Sequence, residues 1–140
     1  MTTMDLSKTP GQLATEAAEA IRALNHRTID AESYETPPSV GEAAYGLRTL
    51  IERLPQSLEQ MESELLRFGS TDFVRMDDGS DPTYAVAECV SALAAARPLL
   101  AQLLDEMRVL SARTSHMGAN WPDDVLNSSD TADTPTDTPA

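Results

Sequence analysis

Apolar residues recur every three or four positions along three segments of the chain, which is the spacing of one face of an α-helix. The first segment carries this face at Leu13, Ala17, Ala20, Ile21 and Leu24. The other two segments keep a heptad pattern with two apolar rows each, as helices that pack along their length do. In the second segment the rows are Ala44, Ile51, Leu58, Leu65 and Leu47, Leu54, Met61, Phe68. In the third they are Val86, Leu93, Leu100, Met107 and Cys89, Ala96, Leu103, Leu110.

Residues that favour helix starts precede each segment. Thr9 and Gln12 have the spacing of a capping box, and so do Ser39 and Glu42. Asp81 occupies the N-cap position before the third segment, and a proline follows it, as is common at the first helical position. We therefore predict helices at about residues 10–26, 40–68 and 82–117.

Two prolines, Pro55 and Pro98, stand inside the second and third predicted helices. A proline in a helix interior costs about 3 kcal/mol and removes one backbone hydrogen bond. The apolar rows nevertheless keep the same heptad spacing on both sides of each proline. Two separate helices would not need to share that spacing. We interpret the prolines as bends in continuous helices, and the spacing places both bends at nearly one height of an antiparallel hairpin.

These elements predict an all-α fold, a three-helix bundle in which a short N-terminal helix packs on a long antiparallel helical hairpin with proline-kinked arms. Residues 1–8 form a flexible N-terminus, residues 9–120 the bundle, and residues 121–140 a disordered acidic tail. At 1.5 Å per residue, the first helix covers only about half of either long arm.

Composition narrows the classes of function. The net charge of −13 and the lack of a Lys/Arg cluster argue against direct binding of nucleic acid and against an anionic membrane surface. No uncharged apolar run reaches the ~20 residues of a membrane helix, and the N-terminus lacks the pattern of a signal peptide. With a single cysteine as well, these features predict a cytoplasmic protein.

The polar residues do not form a catalytic or metal-binding pattern. His26 and His116 lie on different segments, without acidic or cysteine partners at ligand spacing. Cys89 lies in a predicted core row, where a free cysteine acts as a small hydrophobic residue. Residues 77–81 read as a turn followed by an N-cap rather than a calcium loop, and the glutamates at 59, 62 and 64 as a solvated face. We therefore expect no enzyme, no metal and no cofactor.

A partner surface is the strongest candidate site, because the first helix leaves half of the predicted hairpin uncovered. The alternative is that Phe73, Val74 and Tyr84 fold over this half and close it. Trp121, beyond the third helix, either docks a partner or folds back on the last turn. The candidate partner-binding residues are Leu58, Met61, Leu65, Phe68, Phe73, Val90, Leu93 and Trp121.

Three stretches carry a family resemblance: AEAIRALNH in the first helix, GLRTLIERLPQSLEQ in the second and DPTYAV at the start of the third. Over roughly residues 16 to 115 the chain resembles uncharacterised small all-helical proteins of streptomycetes and related actinobacteria. The resemblance implies an origin and a helical fold, and no functional residue. Small secreted hairpins with a Trp-x-Gly turn are similar in outline, but this chain has DDGS between its long helices instead.

The leading functional hypothesis is a non-enzymatic helical protein–protein interaction module, either a homodimer or one subunit of a heteromeric assembly. In this hypothesis the acidic tail keeps the protein soluble or tunes association. The alternative is an acidic regulator that binds a basic DNA-binding protein, as an antitoxin, antirepressor or DNA mimic does. A secreted helical hairpin is a third, weaker option.

Overall fold

The computed structural model describes residues 4–121, and 71% of these residues are helical, with no strand among them. The three helices are α1 (Pro10–Arg27), α2 (Pro37–Gly69) and α3 (Pro82–Thr114). The predicted all-α class is confirmed. The predicted disorder of residues 122–140, and the first three residues of the predicted flexible N-terminus, lie outside the described residues.

Helix α1 begins where its capping signal predicts. The Gln12 backbone N–H donates to the Thr9 hydroxyl at 3.2 Å, and the Thr9 N–H donates to the Gln12 side chain at 2.9 Å, which completes the capping box. His26 and Arg27 occupy its last turn, where positive charge favours the helix C-terminus. The chain divides into one unit that contains α1 and a second that contains α2 and α3. Packing of α1 on the hairpin stays a prediction.

Helix α2 begins at Pro37, three residues before the predicted start. Prolines fit the first turn of a helix because the N–H groups there have no partner within the helix. Helix α3 begins as predicted, with the Asp81 carboxylate accepting from the Thr83 N–H at 3.0 Å, and ends at Thr114 rather than at residue 117.

The connection between α2 and α3 confirms the predicted turn. Gly79 has a φ of 75°, a left-handed conformation that glycine adopts without a Cβ clash. The Asp78 carboxylate accepts from the backbone N–H and the hydroxyl of Ser80, at 2.9 and 2.6 Å. These bonds close a local turn immediately before the N-cap of α3.

Two close approaches of α2 and α3 define the antiparallel register. A Cβ on Gly41 would lie 3.2 Å from the Thr114 Cβ, and a Cβ on Gly69 would lie 3.0 Å from a Val86 methyl group. Gly41 and Gly69 are four heptads apart in α2, and Val86 and Thr114 are four heptads apart in α3. The register therefore does not slip between the two ends of the hairpin.

Both prolines lie inside continuous helices, as predicted. Pro55 falls midway between the two glycines of the close approaches, at the level of Leu100 in α3. Pro98 lies two residues from that level, about 3 Å along the helix axis. We name residues 56–97 the turn half of the hairpin, and the rest of α2 and α3 the open half.

The rotation of α3 against α2 differs from the prediction by one position. Val86, Leu93, Leu100 and Met107 are half-buried, as expected for a contact row. The second contact row is Val90, Arg97, Leu104 and Ser111, which are also half-buried. The predicted second row was wrong, because Cys89, Leu103 and Leu110 are exposed.

Candidate functional site

One side of the hairpin is closed by polar contacts between α2 and α3. The Arg97 guanidinium donates to the Glu62 carboxylate, and the Glu62 side chain is only 19% exposed. The Arg48 guanidinium donates to the Ser111 hydroxyl at 3.4 Å. The interpretation of Glu62 as part of a solvated face is therefore wrong. Its carboxylate bridges the helices because Arg97 occupies a contact row.

The other side of the turn half is an open apolar groove, which we name the turn groove. Met61 contributes to it and is half exposed, although the sequence pattern placed it in a core row. Glu64 is its charged residue. The full lining is Met61, Glu64, Leu65 and Phe68 from α2, and Cys89, Ala92 and Leu93 from α3.

The turn groove continues along α3 as a second apolar row, which we name the outer row. Residues three, four and seven positions apart share one face of a helix, so the row follows from Cys89 and Ala92 toward the open half. Leu99 is its most prominent member, with 64% of its surface exposed. The outer row comprises Ala85, Cys89, Ala92, Ala96, Leu99, Leu103 and Leu110, and it is interrupted by the exposed Glu106 between the last two leucines.

Helix α3 thus carries two apolar rows, and only one of them packs on α2. On α2, the row that contains Met61 continues toward the open half through Leu54 and Leu47, at steps of seven residues. Both leucines are half-buried. We name the turn groove, the outer row and these α2 residues together the docking face. It is mainly apolar, with Glu64 in the turn groove and Glu106 in the outer row, whereas the opposite side carries the polar bridges.

The structure brings together half of the predicted partner-binding residues. Met61, Leu65, Phe68 and Leu93 line the turn groove, while Leu58 and Val90 are half-buried in the contact rows. The prediction missed the outer row as a surface, since four of its residues were assigned to a core row: Cys89, Ala96, Leu103 and Leu110. Ala92 and Leu99, which extend the apolar pattern of α3 beyond the two predicted rows, were the signal that could have found it.

Of the three residues in the alternative closure of the groove, Phe73 and Tyr84 are exposed, whereas Val74 is half-buried. Tyr84 is 77% exposed and does not line the groove. Phe73 stacks on Phe68 with ring centroids 5.5 Å apart, but it too remains largely exposed. Trp121 is 52% exposed at the edge of the described residues. Whether Phe73 or Trp121 contacts a partner stays a prediction.

No group of three or more metal-ligating side chains occurs among residues 4–121. His26 and His116 are both exposed, and Cys89 is exposed rather than buried in a core row as predicted. The candidate site is the apolar surface formed by the turn groove and the outer row.

By length and composition, α3 also passes the test for a membrane-crossing helix, with a window of mean hydropathy 1.3 of which none is buried. One such helix is weak evidence, because a helix with apolar rows on two sides reaches this mean without crossing a membrane. Comparisons with protein-family models, with curated proteins and with solved structures found no match for this chain.

Proposed function

We propose that this protein is a non-enzymatic helical interaction module, located in the cytoplasm, that binds another protein through its docking face. The observation that carries the proposal is the outer row of α3, which is apolar from Ala85 to Leu103 and yet faces away from α2. A helix that is apolar on two sides can bury both only if it has a neighbour on each side, and α2 covers only one side of α3.

The energetics support a partner. Full burial of a leucine side chain contributes roughly 1.5–3 kcal/mol, and Leu99, Leu103 and Leu110 are all exposed. Ala44 and Ile51 are the only buried hydrophobic residues in the described chain, so the hairpin has a small core of its own. Antiparallel helix pairs of this kind commonly complete a bundle with further helices.

The acidic-regulator alternative has less support. Such a protein needs free carboxylates on a rigid face to match a basic partner. Within residues 4–121, the carboxylates of Glu52, Glu62 and Glu64 each form an ion pair with an arginine of the hairpin. The helical acids are therefore partly neutralised by the chain itself.

The thiol of Cys89, the only cysteine of the chain, provides a direct test because it lies on the docking face. We expect a maleimide reagent to label Cys89 at least about tenfold more slowly in an extract of the native host than in urea. Leu99→Glu, which puts a charge on the outer row, restores fast labelling. Val109→Glu is the matched control, since Val109 is 57% exposed but lies outside the row.

The proposal fails if Cys89 in the native extract reacts as fast as in urea. It also fails if Leu99→Glu and Val109→Glu change the labelling rate to the same extent, because protection would then not depend on the docking face.

A further inference from the structure

We propose that Pro55 and Pro98 form a paired hinge, at which α2 and α3 bend in the same direction and the turn half swings relative to the open half while the two helices stay in contact. This inference goes beyond the proposed function, because it holds whether or not the docking face is covered. It follows from the faces on which the two prolines lie, from the contacts between the helices, and from the backbone hydrogen bonds that the prolines remove.

Pro55 lies on the face of α2 that meets α3. Residues seven positions apart share one face of a helix that packs along its length. Arg48, seven positions before Pro55, donates to the Ser111 hydroxyl of α3. Glu62, seven positions after it, accepts from the Arg97 guanidinium of α3. Pro55 itself is half-buried, so its ring faces α3.

Pro98 lies on the side of α3 that faces away from α2. It is exposed, and so are the residues at heptad steps from it along the whole helix. These residues are Tyr84, Ser91, Asp105 and Ala112. The two prolines therefore have opposite placements relative to the interface, one inside it and one on the solvent side.

These placements give the two helices bends of the same direction. A proline in a helix interior bends the helix away from its own side, because its ring presses on the carbonyl of the residue four positions earlier. Pro55 therefore turns the convex side of α2 toward α3, and Pro98 turns the convex side of α3 toward solvent. Both convex sides point from α2 toward α3, so the two helices follow one curve with α3 on its outside.

Contacts along the hairpin require that the bends match. At the two ends, a Cβ on Gly41 or on Gly69 would lie within 3.2 Å of a side chain of α3. Near the middle, Ile51 is buried. A bend in α3 alone would open a gap at the middle, and a bend in α2 alone would separate the ends. Bends of one direction in both helices keep all three contacts.

The same level of the hairpin is also where the backbone is weakest. Pro55 has no N–H to donate to the Ile51 carbonyl, and Pro98 has none to donate to the Ala94 carbonyl. From the register, the two interrupted turns lie within one stretch of roughly 15 Å along the hairpin at 1.5 Å per residue. Bending is easiest in this stretch, because each helix lacks a hydrogen bond there.

Replacing the prolines singly and together tests the match. Pro55→Ala or Pro98→Ala alone straightens one helix only, so lost contacts between the helices should offset the gain from the restored hydrogen bond. The double variant straightens both helices together. We expect it to raise the folding equilibrium constant at least about tenfold more than the two single effects multiplied. Urea denaturation at one fixed protein concentration measures all four chains.

Pro82→Ala combined with Pro55→Ala is the matched control, because Pro82 lies in the first turn of α3 and does not bend it. Those two effects should multiply to within about twofold, as they do for separate sites that share no partner. If the effects of Pro55→Ala and Pro98→Ala also multiply within that range, the bends are not matched and the proposal is overturned.

Electron-spin distance measurements test the swing. In a Cys89→Ser chain, nitroxide labels at Tyr84→Cys and Ala112→Cys lie on the solvent side of α3, roughly 42 Å apart along the helix at 1.5 Å per residue. Dilution with unlabelled chain restricts the measurement to distances within one copy. We expect the distance distribution to be several ångströms broader than in the same chain with both prolines replaced by alanine.

Equal widths in the two chains overturn the hinge, even where the urea data show matched bends. Neither result bears on the proposed function, which the labelling rate of Cys89 in the host extract tests separately.

Discussion

The open half and the turn half of the hairpin are built from the same two helices but differ in how well they are packed. Ala44, Ile51 and Thr114, the three buried residues of the described chain, all lie in the open half. The turn half has none, and its contact rows include the charged pair of Glu62 and Arg97. The half with the weaker core is also the half with the open groove.

The difference concerns how tightly α2 packs on α3 and not the amount of exposed apolar surface, since Leu99, Leu103 and Leu110 of the open half are exposed as well. In the open half, Gly41 lets Thr114 approach closely, and the Thr114 hydroxyl donates to the Leu110 carbonyl at 2.8 Å, so that its polar group is satisfied. In the turn half, apolar surface is left exposed at Met61 and Cys89.

Truncation of a core residue should lower the free energy of unfolding more than the other changes below. The size of the loss should depend on the half of the hairpin in which the residue lies. Ile51→Ala removes a buried side chain in the open half, and we expect a loss of about 2–4 kcal/mol in the free energy of unfolding. Leu65→Ala in the turn half should cost about 1 kcal/mol, because Leu65 is only half-buried. Urea denaturation at one fixed protein concentration measures both; equal losses would contradict the comparison.

The close approach at the turn end should be the next most sensitive position. In Gly69→Ala the new methyl group would lie 3.0 Å from a Val86 methyl group, so we expect a loss of about 1–3 kcal/mol. Gly46→Ala is the matched control, because nothing lies within 4 Å of its Cβ position, and it should stabilise the helix by about 0.5–1 kcal/mol. A gain of stability in both variants would contradict this expectation and show that α2 and α3 can move apart at the turn end to make room for the methyl group.

The charged pair in the contact rows should contribute less. The Arg97 side chain is 37% exposed, so a double-mutant cycle of Glu62→Ala and Arg97→Ala should give a coupling of about 0.5–1 kcal/mol. Replacing both residues with leucine should stabilise the hairpin, since apolar pairs often replace such ion pairs without loss. A coupling energy several times larger would mean that the stability of the turn half depends mainly on this ion pair.

The smallest expected effect concerns the start of α3 at low pH. The backbone N–H and the hydroxyl of Thr83 donate to the Asp81 carboxylate and lower its pKa below the ordinary range. A lowered pKa means that the cap stabilises the helix above the unfolded-state pKa of about 3.9 and is lost as the pH falls through the folded-state pKa. The protection of the Thr83 amide, measured as its exchange rate relative to the intrinsic rate at the same pH, should therefore fall at acid pH. Asp81→Asn, which keeps an acceptor that does not titrate, should remove this pH dependence.

Local signals predicted much of the fold. The capping residues Thr9 and Asp81 act through hydrogen bonds to residues two or three positions away, so they mark the starts of α1 and α3 without any tertiary contact. Pro37 was missed as a helix start because prolines at adjacent positions also favour extended backbone. The continuity of both long helices followed from the phase of the apolar rows on either side of Pro55 and Pro98.

The rotation of α3 could not be derived in the same way. Cys89 and Val90 each begin a possible second row, three or four positions from Val86 and Leu93. The row of Cys89 is apolar throughout, whereas the row of Val90 includes Arg97 and Ser111. Choosing between them from hydrophobicity favoured the row with Leu103 and Leu110, since the other contains Arg97. Arg97 is accommodated because Glu62 stands opposite it on α2, which is a property of the pair of helices and not of either sequence segment.

The sequence by itself thus determined the number of helices, the starts of two of them, and the absence of a break at either proline, because these depend on local hydrogen bonds and on the period of one helix. The tertiary structure decided which apolar row of α3 meets α2 and which is left as the outer row. That choice depends on interdigitation with α2, on the Glu62 and Arg97 pair, and on the close approaches at Gly41 and Gly69. The candidate site is what remains on α3 once that choice is made.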